Sequence, residues 1–156
     1  MKKESTYARY MAVLWILCLV LVSWPALADD YDTGVKANVL VKSATASNGQ
    51  KVAYPQTQNA EVTAMIVDIA PGRETGWHLH PVPVYAYVIA GKLAVEFEDG
   101  KRYEFSNGQA IIEAVSTPHN GINIGNVPVT LIVFYTGVQD MPIVKKIEKK
   151  KSRKRK

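Results

Sequence analysis

The sequence predicts an all-β domain, a sandwich or a closed barrel, on three observations. Branched and aromatic residues recur with period two in short segments, clusters of Gly, Asn, Asp and Pro separate the segments, and no stretch sustains a period of 3.6. Many short strands at regular spacing satisfy their backbone groups in one of those two architectures.

Residues 1–28 stand apart from that fold. Lys2, Lys3 and Arg9 precede the apolar run MAVLWILCLVLV, and Ala26-Leu27-Ala28 follows it. These are the three zones of a secretory signal, with cleavage expected after Ala28. A membrane-spanning helix needs about 20 apolar residues, whereas this run supplies 12 and is followed by Pro25. A periplasmic or secreted protein is therefore expected. The single cysteine, Cys18, lies inside the run and lacks the preceding small residues of a lipoprotein signal, so the mature chain would hold no thiol and no disulfide.

The strands follow in order. Residues 36–42 (KANVLVK) read as an N-terminal strand, an apolar edge that needs cover. Residues 43–59, rich in Ser, Gln and Asn, read as a long irregular crossing over one face. Residues 61–69 (EVTAMIVDI), 84–89 (VYAYVI), 92–98 (KLAVEFE), 110–114 (AIIEA) and 129–135 (VTLIVFY) supply further strands. Asp99-Gly100, between LAVEFE and KRYEF, predicts a two-residue type I′ hairpin, in which both central residues need positive φ. Gly91-Lys92 and Asn107-Gly108 mark further reversals. The expected organisation is a signal at 1–28, an N-terminal strand and irregular segment at 29–60, a β-barrel at 61–144 and a basic disordered tail at 145–156. There is no internal repeat, second domain or Gly-rich phosphate loop.

The formal net charge of +5 averages segments of opposite sign. Residues 145–156 (KKIEKKKSRKRK) hold nine basic residues and one acid, while residues 29–144 hold seven basic residues and twelve acids. The body is thus mildly acidic, and the tail has almost no apolar residues with which to order itself. An exported protein seldom meets nucleic acid, so no nucleic-acid partner is expected; weak contact of the tail with an anionic membrane surface is the alternative to a solvated tail.

The chain has three histidines. In an extended segment residues i and i+2 point to one side, about 6.6 Å apart. His78 and His80 therefore share a face, with Trp77 and Leu79 on the other. Rings so spaced can take adjacent positions on one ion at metal–nitrogen distances of about 2 Å. A lone His-x-His is otherwise a pair of ordinary surface or pocket groups.

Around those histidines the chain resembles the cupin superfamily. The first motif of that family runs Gly, five residues, His-x-His, three or four residues, Glu, six residues, Gly. Gly72, His78, His80 and Gly91 fall at its spacing. The second runs Gly, five residues, Pro-x-Gly, two residues, His, three residues, Asn, and Gly108, His119 and Asn123 fall at that spacing. Two positions depart. Val84 stands where the first motif has its Glu, and Ala114-Val115-Ser116 replaces Pro-x-Gly. The resemblance implies a single antiparallel jelly-roll barrel with a metal site of His78, His80 and His119 near its mouth. The metal would be iron, manganese, nickel or zinc.

With Val84 in place of the acid, the three remaining donors are neutral. Glu113 is the best remaining acid, as a fourth ligand or as a partner whose carboxylate orients a histidine N–H. Val84, Tyr85, Tyr87 and Asn123 are candidates for the pocket lining, as is Tyr135, and Pro81 and Pro83 stiffen the lip. The implied function is an exported metal-binding cupin, oxygenase-like or otherwise metal-dependent, acting on a small chelating molecule. The alternatives are a non-catalytic module that binds or senses a small ligand, and a structural envelope protein. A homodimer is expected, with residues 36–42 as the exchanged strand.

Overall fold

A computed structural model of the chain describes residues 34–148. The signal expected at residues 1–28 and the tail from residue 149 onward lie outside the described residues. The chain divides into two compact units, Met1–Asn38 and Val39–Lys156. Of the first only residues 34–38 are described, all exposed and none in a strand.

The second unit holds nine strands among its described residues: β1 (Ala60–Ile69), β2 (His78–Leu79), β3 (Val84–Ala90), β4 (Lys92–Phe97), β5 (Arg102–Ser106), β6 (Ala110–Ile112), β7 (His119–Asn123), β8 (Val129–Val138) and β9 (Lys145–Lys146). They pair in two antiparallel sheets, ordered β1-β8-β3-β6 and β5-β4-β7-β2-β9. The alternation of burial along β1 and β8 is what period-two patterning demands: Met65, Val67 and Ile69 face inward with Val129, Leu131, Val133 and Tyr135, while Val62, Ile66 and Phe134 stay exposed. Leu93, Val95 and Phe97 of β4 meet them from the opposite sheet to close one core.

Gly91 joins β3 to β4 with φ +84°, and a Cβ there would lie 2.6 Å from the carbonyl oxygen of Pro128. Only glycine fits, for both backbone and space. The β4–β5 connection differs from the expected two-residue turn. Gly100 N–H donates to Phe97 O and Phe97 N–H to Lys101 O, with positive φ at Gly100 and not at Asp99. This is a three-residue loop, a turn closed by one left-handed glycine, so a single positive φ suffices.

Two boundaries are corrected. Residues 36–42 form no strand, and Val39, Leu40 and Val41 are exposed; β propensity alone does not make a strand without a ladder partner. The basic segment begins inside the fold, since Lys145 and Lys146 pair with Leu79 and His78, and Ile147 N–H donates to Trp77 O. Backbone pairing to the edge of β2 orders residues whose side chains alone would leave them solvated.

Candidate metal centre

β2 carries His78, with His80 two residues on, and β7 opens with His119 directly opposite His78 in the register. Cross-strand partners share a face. One ring nitrogen from each of the three histidines falls within 4.8 Å of the others, and His80 and His119 are buried.

Each ring is oriented by a backbone carbonyl. His78 Nδ1 lies 2.7 Å from Gly76 O, His80 Nδ1 2.8 Å from Ile143 O, and His119 Nδ1 2.8 Å from Thr117 O. A carbonyl oxygen only accepts, so each Nδ1 carries the proton and donates it. In the neutral rings Nε2 is then the bare donor atom that each offers to a cation.

Glu113 completes the cluster. Its Oε2 is 3.2 Å from both His80 Nε2 and His119 Nε2. With both rings neutral, these contacts set lone pair against lone pair. His119 Nε2 is accordingly buried with no hydrogen-bond partner. A cation, either a proton or a metal ion, removes the conflict. Donors sharing an ion at about 2.1 Å lie about 3.0–3.4 Å apart in octahedral or tetrahedral sites, which is the observed nitrogen–oxygen spacing. The three histidines could hold a divalent ion, and Glu113 sets a carboxylate against two of them.

The electrostatics follow from that cluster. Burial opposes the charge of Glu113, but the hydrogen bonds that His119 and His80 donate once protonated, and then their charges, hold its carboxyl well below the usual carboxylate range. Burial also acts to lower the His119 pKa, but the hydrogen bond and charge of Glu113, with the Thr117 carbonyl, hold it above its ordinary value. His78 is shifted down, by burial first and by the charges of His119 and His80, against the Gly76 carbonyl. Tyr135, whose ring centroid is 5.4 Å from that of His80, is pushed up to about 12 by burial and by the charge of Glu113. It remains a phenol throughout the neutral range.

A cavity of about 180 Å³ opens onto these groups, walled by Val67, Ile69, Leu93, Leu131 and Val133, with Tyr135, Thr75 and Lys146 at its polar positions. Four residues expected in the lining are elsewhere. Val84 is buried in the core, opposite Tyr135 in the β3–β8 register. Tyr85 and Tyr87 occupy the alternate positions of β3, on its outward side, as strand parity requires. Asn123 is a buried brace: Nδ2 donates to Ile69 O and Val127 O, each at 2.8 Å, and Oδ1 accepts from Gly125 N–H. The functional groups missed by sequence reading are Thr75, the Ile143 carbonyl and Lys146. No motif marks them, because two belong to loops and the third to a lysine-rich stretch.

Residues 65–135 match the family described as "Cupin domain". Among solved structures, a cupin-like protein from Thermotoga maritima aligns with a TM-score of 0.51 at 20% identity, covering 55% of this chain and 64% of that one. Oxalate decarboxylase from Lactobacillus farciminis, in a formate complex, aligns with a TM-score of 0.49 at 22% identity, covering 55% of this chain and 26% of that one. The DMSP lyase DddQ from Ruegeria pomeroyi DSS-3 gives 0.48 at 18% identity, over 55% of this chain and 42% of that one. The chain thus spans only about a quarter of the decarboxylase's length, and the likeness is one of fold. No curated protein matches the sequence.

Proposed function

We propose that the chain, whose residues 65–135 match the cupin domain family, is an exported metal-binding protein acting on a small chelating molecule. One observation carries this reading: three imidazoles with their Nδ1 protons tied to carbonyls turn their remaining nitrogens toward a cluster that also contains a partly buried carboxylate. His78, His80 and His119 would hold iron, manganese, nickel or zinc, with Glu113 as fourth donor. Such an ion supplies Lewis-acid polarisation of a chelating oxygen. The chain's own part is to fix the donors, exclude water with the apolar walls, and keep Tyr135 as a neutral hydrogen-bond donor.

A non-catalytic ligand-binding module is the second reading, and the acid–base inventory favours it. Glu113 is committed to two imidazoles, and Tyr135 does not ionise near neutrality. The cavity therefore offers no free general base, which leaves binding or chemistry centred on the ion. Both readings share one test. Cobalt(II) added to the metal-free protein should give a visible d–d spectrum that is absent in His78→Ala, and acetohydroxamate should perturb it by joining the ion in the cavity. A cobalt spectrum indifferent to the hydroxamate would contradict a site open to a chelating ligand.

A further inference from the structure

We propose that β9 makes the pocket selective for a small carboxylate: Lys146 receives the anionic group at the cavity mouth, and the aliphatic walls receive a short apolar body. Lys146 stands directly opposite His78 in the β2–β9 register, and opposed residues of an antiparallel pair share a face. It lines the same cavity as the three histidines. Lys145, one residue earlier, pairs with Leu79 and belongs to the alternate face. Among the described residues Lys146 has no ion-pair partner, and Glu113, the acid lining the cavity, is engaged by His80 and His119.

Charge balance points the same way, and this step rests on the metal reading above. A divalent ion among three neutral imidazoles and one carboxylate keeps one net positive charge, and Lys146 adds another. Apolar walls leave the ion's charge little screened, and the exposed Lys146 adds its own charge where a ligand enters, so the loaded pocket favours an anion over a neutral ligand of the same shape. The volume of about 180 Å³ equals the liquid volume of about six water molecules. That suits a carboxylate with a few carbons rather than a sugar phosphate or a nucleotide.

Calorimetric titration of the full-length protein with butyrate and with its neutral counterpart butyramide tests the assignment. Metal content is measured on each sample, and the titrations are repeated after chelator treatment. Butyrate should bind more tightly than butyramide, and Lys146→Gln should weaken butyrate by about tenfold or more, the effect of losing a charge-assisted hydrogen bond. Butyramide affinity and metal content should be unchanged, Lys145→Gln should behave as wild type, and Lys146→Arg should restore most of the affinity. Equal butyrate binding by wild type and Lys146→Gln, or wild-type protein that binds neither probe or both equally, overturns the proposal. A chelator-treated wild type that keeps its lysine-dependent preference for butyrate would overturn the charge-balance step and leave the role of Lys146 standing, whereas samples that never carry metal would overturn the metal reading instead.

Discussion

The amide of Glu113 donates to the carbonyl of Val84 across 3.0 Å. A partly buried carboxylate thus enters the histidine cluster from the chain beside β3, next to the position where the cupin motif carries its acid. The histidine cluster keeps one negative neighbour although the expected position holds an apolar side chain.

Moving that carboxylate between neighbouring positions tests the relationship. Glu113→Gln should lower metal affinity by about 10–100-fold. Val84→Glu alone sets a second acid beside the first and should destabilise the metal-free fold, since two buried carboxylates in proximity cannot both ionise cheaply. The double variant Val84→Glu/Glu113→Gln should recover much of the lost affinity. Chelator competition measures all three, and a Glu113→Gln protein with wild-type affinity would remove Glu113 from the site.

Acid should act with opposite signs on the loaded and metal-free proteins. Protons displace the ion from imidazole, and His119, held above its ordinary value, takes up a proton readily as pH falls from neutrality. In the metal-free protein the same raised pKa makes the Glu113–His119 pair stabilising below the reference 6.5, and the contribution is lost as pH rises through the folded value. Glu113, held low, stays ionised across that window. The difference in Tm between metal-free wild type and Glu113→Gln should therefore be larger near about pH 5.5 than near about pH 8. A difference independent of pH would mean that the pair does not couple.

Asn123 should matter for folding and not for metal. Asn123→Ala leaves the carbonyls of Ile69 and Val127 and the amide of Gly125 without this partner. A loss of about 2–3 kcal/mol is expected from such buried groups, with metal content unchanged in the protein that folds. Chemical denaturation with elemental analysis distinguishes this from a role in the pocket.

The outward face of β1 and β8 predicts self-association. Val62, Ile66 and Phe134 are exposed there, with Ala64 opposite Phe134 and Ile66 opposite Ile132 in register. An apolar face of this kind is commonly covered, and a second copy presents the same surface. Light scattering after gel filtration should give a dimer, and Phe134→Glu should give a monomer with its metal retained. A monomeric wild type at micromolar concentration would end this expectation.

Much of the fold was legible because β1, β3, β4 and β8 carry period-two patterning. β7 (HNGIN) does not, and it became visible only through the spacing of His119 and Asn123 within a motif. β9 was hidden by its own composition, since lysines announce a solvated tail while backbone pairing to β2 is invisible in side-chain chemistry. Strand parity turns Tyr85 and Tyr87 outward, and the pocket lining was not readable, because it depends on which chain segments cross the cavity mouth. The contact of Glu113 with two histidines required knowing that β6 lies beside β3. One sequence names the acid without naming its neighbours.

Elemental analysis of the protein, exported and purified without a histidine tag, bears most directly on the three imidazoles and the carboxylate between them. About one divalent transition metal per chain is predicted for wild type, as for a single donor cluster with an open position, and none for His119→Ala that is folded by circular dichroism. Wild-type protein that stays metal-free after growth with each of iron, manganese, nickel and zinc would contradict the account.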